Sequence, residues 1–332
     1  MKNALSFPEL LQAFFTQRLM HQRRASPHTI ASYRDTFRLL LAYAQEILGK
    51  QPNQLEMADL DASFIGSFLN HLERERQNSA RSRNVRLAAI HAFFGFVAFR
   101  EPQYSAMAQQ IMAIPMKRFK RKEIQFLTHA EMEELLAAPD TTTWLGRRDR
   151  VMLLVALQTG LRVSELANLR RQDVVLETGP HIRCFGKGRK ERCTPLRRES
   201  VAGLRAWLKE YDCPPSGFLF PNARGGQMSV DAIQDRLKKH LATARKTCGS
   251  LRKKNISPHA LRHTTAMEML QAGIDCSIIA MWLGHESIET TQMYLHADLE
   301  IKEKAIAKTA PLNTSTNRYR PHDALIAFLK GL

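Results

Sequence analysis

The chain is poor in the features that mark several large protein classes. It has only five cysteines in 332 residues, Cys184, Cys193, Cys213, Cys248 and Cys276, and no two of them form a CxxC pair. A structural zinc site and a disulfide framework therefore lack their raw material, and the cysteines are expected to be small buried or strand residues in a reducing compartment. No apolar run approaches the ~18 residues of a membrane-spanning helix. The opening Met1-Lys2-Asn3-Ala4-Leu5-Ser6 does not read as a signal peptide. There is no GxxxxGK[ST] phosphate loop and no acidic cluster of the kind that holds Mg²⁺, absences that agree with chemistry needing no ATP, metal or other cofactor. Internal repeats and low-complexity segments are missing as well.

Positive charge is abundant. Forty-nine Lys and Arg stand against 32 Asp and Glu, a formal net charge of +17, on a composition (44% hydrophobic, 24% charged) that is otherwise that of an ordinary globular protein. With no membrane segment to explain it, this charge points to a polyanion, and nucleic acid is the favoured partner. The length suggests two domains, each large enough for its own core.

The periodicity predicts helices through the first ~115 residues. One runs from Phe7 to Gln22. A second opens at Ser26-Pro27, an N-cap followed by proline at the first helical position, and stops at Gly49. Two more cover Asp59 to Arg76 and Ser79 to Phe99, the last made central by Val85, Leu87, Ile90, Phe93, Phe94 and Val97, and a short helix follows Pro102. Arg23, Arg24, Arg81, Arg83 and Arg86 lie where these helices begin or turn. The cluster Ser79-Ala80-Arg81-Ser82-Arg83-Asn84, with its hydroxyls, amide and guanidiniums, suits phosphate contacts, and Arg81, Arg83 and Arg86 are expected to bind DNA, as are the basic residues of the connector that follows. The composition then changes to a basic connector with Lys117, Arg118, Lys120, Arg121 and Lys122. The domain boundaries expected are 1–114 for a helical DNA-binding domain, 115–127 for the linker, 128–310 for a catalytic domain and 311–332 for a tail.

The second domain opens on a capping box, Thr128-His129-Ala130-Glu131, and continues with helices to Leu136, over Arg148 to Gln158, and after the turn Thr159-Gly160. Two short strands, His181 to Gly186 and Glu191 to Leu196, flank Gly186-Lys187-Gly188-Arg189-Lys190. A two-residue turn at Gly188-Arg189 would set Lys187 opposite Lys190 and Cys184 opposite Cys193. Helices resume over Glu199 to Tyr211, Val230 to Arg245, Pro258 to Ala272 and Ser277 to Leu283.

The chemistry concentrates between His259 and Tyr294. His259-Ala260-Leu261-Arg262-His263, Leu283-Gly284-His285 and Tyr294, joined by Arg162 from Thr159-Gly160-Leu161-Arg162, supply cations for charged oxygens, imidazoles to trade protons and a phenol as nucleophile. The three-residue step from His259 to Arg262 puts both on one helical face. Arg162 and Glu165 are one helical turn apart, so the carboxylate can orient the guanidinium.

Taken in order, Thr159 to Leu166, Gly186 to Arg192, His259 to His263, Leu283 to His285 and Tyr294 resemble the tyrosine recombinase (phage integrase) family, in its Xer-like, mobile-element branch. The resemblance implies a mainly α fold with a small antiparallel hairpin in the second domain: a SAM-like core-binding domain and a catalytic domain closing as a C-shaped clamp on DNA. It also implies roles for single residues. Arg162 and Arg262 would hold the scissile phosphate, and Tyr294 would attack it to leave a 3′-phosphotyrosine. His285 would hydrogen-bond the phosphate, His259 would accept the tyrosine proton, and Lys187 would protonate the departing 5′-oxygen. Arg189 would contact a phosphate, whereas His263 and His296 have no matching role and are expected to be structural. The implied partners are double-stranded DNA, three further copies of the chain in a synaptic homotetramer and related recombinases. The implied location is cytoplasmic, at the nucleoid. The apolar stripe Leu325, Ile326, Phe328, Leu329 and Leu332 would form an exchange helix docking on a neighbouring protomer. A type IB-like topoisomerase and a catalytically silent DNA-binding accessory protein are the alternatives. Integration, excision, transposition and Xer-type resolution all fit the same residues.

The charge generates a first prediction. DNA affinity should fall by roughly 10³–10⁵ between about 50 and about 200 mM salt, as for ~6–10 phosphate contacts. Neutralising Lys117, Arg118, Lys120, Arg121 and Lys122 together should flatten that slope and weaken all DNA sequences alike. An unchanged slope would make the linker a plain solvated connector.

Overall fold

The computed structural model describes residues 5–119, 124–186, 191–285, 287, 289–292 and 294. Lys120, Arg121, Lys122, Lys187, Arg189, His296 and the expected exchange helix lie outside the described residues. The chain divides into two compact units between Arg121 and Lys122. Among the described residues, no helix is long and apolar enough to cross a membrane.

The first unit is helical. Helix α1 (Phe7–Ala13) starts from Ser6, whose backbone N–H donates to the Glu9 carboxylate at 2.8 Å. The expected single helix to Gln22 changes type at Phe14. Residues Phe14–Gln22 wind in wider π turns, with the Arg23 N–H reaching back five residues to the Arg18 carbonyl at 2.9 Å. That pitch brings Phe14 and Leu19, five apart, into the same core. Helix α2 (Pro27–Leu48) has the predicted limits: Ser26 Oγ accepts the Thr29 N–H at 3.2 Å, and Gly49 ends the helix at φ +67°. Helices α3 (Ala62–Arg74), α4 (Ala80–Arg100) and α5 (Ser105–Met112) follow, with Asp61 and Ser79 capping the first two. The core is aromatic. Phe93 takes Phe7, Phe14, Phe37 and Phe94 edge-on at centroid distances of 5.2–5.9 Å. Val85, expected in this core, is exposed. The buried stripe of α4 runs through Arg83, Leu87, Ile90, Phe94 and Val97, and Val85 lies off it.

The second unit holds α6 (His129–Ala137), α7 (Trp144–Thr159), α8 (Val163–Asn168), α9 (Arg198–Glu210), α10 (Val230–Thr247), α11 (Pro258–Gln271), α12 (Cys276–Leu283) and α13 (Glu289–Gln292). Between α8 and α9 lies an antiparallel sheet of three strands in sequence order: β1 (Val174–Val175), β2 (His181–Phe185) and β3 (Glu191–Pro195). The register corrects the expectation by one residue. Cys184 faces Arg192 and Cys193 faces Arg183, with Phe185–Glu191 the last described pair. A one-residue slip moves every side chain to the other face, and here it puts Cys184 and Arg192, not the two cysteines, in register. All five cysteines are free thiols.

Helix α7 is the spine of the larger core, packing Leu153 and Val155 among Ile182, Leu204, Leu219 and Leu251. A smaller cluster joins Ala266 and Met267 of α11 to Ile279 and Leu283 of α12 and to Tyr294. The main core also encloses a charge. Asp149 is fully buried, with Arg148 Nη2 at 2.6 Å and Nε at 3.0 Å from one oxygen, and Arg236 Nε at 2.5 Å and His240 Nε2 at 2.7 Å from the other. Burial alone would raise its pKa, but its hydrogen bond to His240 and the charges and hydrogen bonds of Arg148 and Arg236 bring it below the usual carboxylate range. Its stabilisation is therefore in place above pH ~3.9 and lost as the pH falls through the lower folded value.

Asp149→Ala should cost roughly 3–5 kcal/mol in denaturant unfolding near neutral pH, because it strands buried cations, and should remove part of the acid sensitivity of unfolding. A cost under ~1 kcal/mol, the range of a surface pair, would contradict this account.

Candidate active site

Two glycines with positive φ bring the site together. Gly160 ends α7 at φ +62°, and a Cβ there would lie 2.5 Å from Leu283 Cδ2. Gly284 ends α12 at φ +64°, where a Cβ would lie 3.0 Å from Arg192 Nη1. Only glycine meets both the conformation and the space at these helix ends.

The carbonyls left unpaired at those helix ends become arginine acceptors. Arg262, 2% exposed on α11, donates from Nη1 to the Gly160 carbonyl at 2.7 Å and from Nη2 to the Leu283 carbonyl. Arg162, the residue before α8, donates from Nη2 to the Gly284 carbonyl at 2.9 Å. Its backbone N–H and Nη1 reach the two Glu165 oxygens at 2.7 and 2.9 Å. Arg192 of β3 approaches the same carboxylate with both terminal nitrogens, at 3.0 and 2.7 Å. Glu165 thus lies between two guanidiniums. Burial would raise its pKa, yet Arg192 and Arg162 together hold it below the ordinary range. Arg262 is lowered to about 10, first by burial and then by the positive charge of Arg162.

Tyr294 enters from the segment after α13, only 1% exposed, with its hydroxyl 2.8 Å from His263 Nδ1. The His285 ring lies nearly parallel to that of Tyr294 at 6.5 Å, and its Nδ1 is 2.7 Å from Thr291 Oγ1. His259, exposed at the start of α11, stacks on His263 at 5.0 Å. Burial pushes Tyr294 up to about 12. Burial and neighbouring cations push His285 down to about 4, and burial, then His259 and Arg262, do the same to His263.

Arg162, Glu165, His259, Arg262, His285 and Tyr294 therefore gather in one unit, around the ends of α7 and α12. Sequence reasoning missed two members. Arg192 ended a quoted run, but its bond to Glu165 depends on the strand register. His263 was set aside as structural, although its Nδ1 lies 2.8 Å from the tyrosine hydroxyl.

The basic residues assigned to DNA in the first unit divide. Arg81 and Arg118 are exposed. Lys117, also exposed, pairs with Glu73 at 2.6 Å. Arg86 is half-buried and donates to the Ser32 carbonyl and Thr36 Oγ1 at 3.0 and 3.1 Å. Arg83 corrects the expectation of a surface cluster: it is 5% exposed, 3.6 Å from Glu73, and donates to the Pro115 carbonyl at 3.3 Å.

A tyrosine hydroxyl beside imidazoles and a guanidinium pair, on this helical framework, defines the class of enzymes that break and rejoin DNA strands. Residues 125–300 match the phage integrase family, and residues 13–101 match its N-terminal SAM-like domain. The chain belongs to the phage integrase family. It is 54% identical over 327 residues, 98% of each chain, to the putative integrase/recombinase y4rC of Sinorhizobium fredii. It is 32% identical to tyrosine recombinase XerC of Pelotomaculum thermopropionicum, covering 87% of this chain and 94% of that one. The fold is shared with XerH site-specific recombinase in a post-cleavage complex with palindromic difH substrate (TM-score 0.68, 22% identity, 86% and 81% covered). It is shared also with the Tn1549 transposon integrase in complex with a circular intermediate DNA (TM-score 0.68, 17% identity, 92% and 100% covered).

Glu165→Gln should slow covalent adduct formation by roughly 10–100-fold, as for a lost charge-assisted hydrogen bond of ~1.5–3 kcal/mol, while leaving DNA affinity nearly unchanged. An unaltered rate would show that Glu165 does not orient Arg162.

Proposed function

We propose that this protein is a site-specific DNA recombinase that exchanges strands through a 3′-phosphotyrosine intermediate, in the service of a mobile element. The observation that carries this reading is the convergence of Arg162 and Arg262 on the consecutive carbonyls of Gly284 and Leu283, beside Tyr294. A guanidinium has five N–H donors in a planar fork, and the carbonyl and carboxylate contacts above use two on each arginine. The forks can thus bind the non-bridging oxygens of one phosphate while remaining anchored. Tyr294 Oη attacks phosphorus, the bond to the 5′-oxygen breaks, and Lys187 protonates that oxygen. The ester keeps the energy of the broken bond, so a partner strand's 5′-hydroxyl can reverse the step without ATP or metal. His285, with Nδ1 on Thr291, offers its Nε2 edge to the phosphate. The family resemblance gives the tyrosine proton to His259.

The wider assembly is part of the same proposal. In this reading Arg81, Lys117, Arg118, Lys120, Arg121, Lys122 and Arg189 lie on DNA phosphates. Four copies join two sites in a synapse within the nucleoid, and the net charge of +17 supports DNA as the partner.

The test is a nicked duplex carrying a site that the protein itself selects from random DNA. Wild type should form a covalent adduct that persists in EDTA, and Tyr294→Phe should bind that DNA equally well with no adduct. An adduct on the phenylalanine variant, or loss of wild-type reaction on chelation, would overturn the assignment.

A further inference from the structure

Two threonines precede the nucleophile's turn, and they differ in burial: Thr290 is exposed, whereas Thr291 is fully buried. Thr291 lies in α13 and touches two working residues with two different groups. Its side-chain Oγ1 is 2.7 Å from His285 Nδ1. Its backbone carbonyl accepts the Tyr294 N–H at 3.0 Å. The His285 N–H donates to the Ala280 carbonyl at 2.9 Å, so the histidine is tied by its backbone to α12 and by its ring to α13. The rings of His285 and Tyr294 lie nearly parallel, with centroids 6.5 Å apart.

A neutral imidazole has one N–H and one bare nitrogen, and the partner of one nitrogen decides the state of the other. Burial, then the charges of Arg262, Arg162, His263 and Arg192, lower His285 to about 4, so its ring is neutral near pH 7. Phosphate oxygens only accept hydrogen bonds. A neutral ring therefore meets them through Nε2 only when the proton is there, and the bare Nδ1 then needs a donor. A threonine hydroxyl rotates and can be that donor.

We propose that Thr291 is a positioning residue for the reaction: its hydroxyl donates to Nδ1 of His285, which holds the ring proton on Nε2 and turns that N–H to the scissile phosphate. The proposal rests on the reading of His285 as a phosphate ligand beside the nucleophile Tyr294. Removing the hydroxyl leaves the buried nitrogen without its hydrogen bond and lets the ring turn or take its proton on Nδ1. The main-chain bond from Tyr294 to the Thr291 carbonyl does not involve the side chain. Valine has nearly the shape of threonine, so Thr291→Val deletes the hydroxyl while keeping the nucleophile's turn.

The experiment measures single-turnover adduct formation on the same nicked, self-selected DNA, with binding followed in parallel. The proteins are wild type, Tyr294→Phe, Thr291→Val, Thr291→Ser, His285→Ala and the Thr291→Val, His285→Ala double variant. Adduct in wild type and none in Tyr294→Phe establishes the underlying reading separately, so losses at position 291 bear on the threonine alone. Thr291→Val should bind DNA within about threefold of wild type and cleave about 10–100-fold more slowly, the range for groups that orient metal-bound imidazoles. Thr291→Ser keeps the hydroxyl and should cleave within about threefold of wild type. In the His285→Ala background, Thr291→Val should cost less than about threefold, because its partner is already gone. Equal losses in both backgrounds would mean that Thr291 acts on Tyr294 or on packing, and would overturn the proposal. So would a serine variant as slow as the valine one, or a valine variant as fast as wild type. Wild-type protein labelled with ¹⁵N-histidine gives a reading that needs no stable variant. Long-range ¹H–¹⁵N spectra at neutral pH should show the His285 proton on Nε2 and a bare, hydrogen-bonded Nδ1; a proton on Nδ1 would overturn the assignment.

Discussion

Two guanidiniums of like charge, one of them almost wholly buried, are the constraint on which the catalytic unit depends. Each carries a positive charge that repels the other, and burial strips Arg262 of water, as its pKa of about 10 records. What holds them is a set of negative ends supplied by the fold: the Gly160 carbonyl, the Leu283 and Gly284 carbonyls, and the Glu165 carboxylate. Helix C-termini carry partial negative charge and unsatisfied carbonyls. Ending α7 and α12 at the same point is thus an electrostatic solution as well as a packing one. The two glycines follow, because a side chain at Gly160 would meet Leu283 and one at Gly284 would meet Arg192.

The rest of the unit serves that junction. Helix α7 is set in the main core, and the buried Asp149 cluster ties it to α10 through Arg236 and His240. Helix α11 bridges from the main core, through Ala260 and Leu261, to the small cluster that contains Tyr294. Strand β3 delivers Arg192 to Glu165, so the hairpin that flanks residues 187–190 is fixed to the same carboxylate as Arg162. Clamp, nucleophile and hairpin share contacts, and a disturbance at Glu165 reaches all three.

Local chemistry was legible in the sequence. Ser26-Pro27, Thr128 with Glu131, Gly49 and Gly160 mark helix ends through interactions within four residues, and the structure places them there. Arg162 with Glu165 was legible for the same reason. The hairpin register was not, since Gly186 and Gly188 tolerate turns of more than one length. Val174–Val175 is too short to announce a strand. Arg83 could have been read correctly: positions 83, 87, 90, 94 and 97 fall on one face of α4, which places Arg83 on the buried stripe. His259 and His263 share a face of α11, and it takes long-range packing to bring Tyr294 onto His263.

The central claim is that Tyr294, aligned by the arginine pair and partnered by an imidazole, becomes covalently joined to DNA through a 3′-phosphate. The most direct measurement is mass spectrometry of the adduct trapped on nicked DNA, after nuclease trimming and proteolysis. The account predicts a nucleotide 3′-phosphate mass on the peptide carrying Tyr294 and on that residue within it. A nucleotide on another residue, or a linkage through the 5′-phosphate, would contradict it.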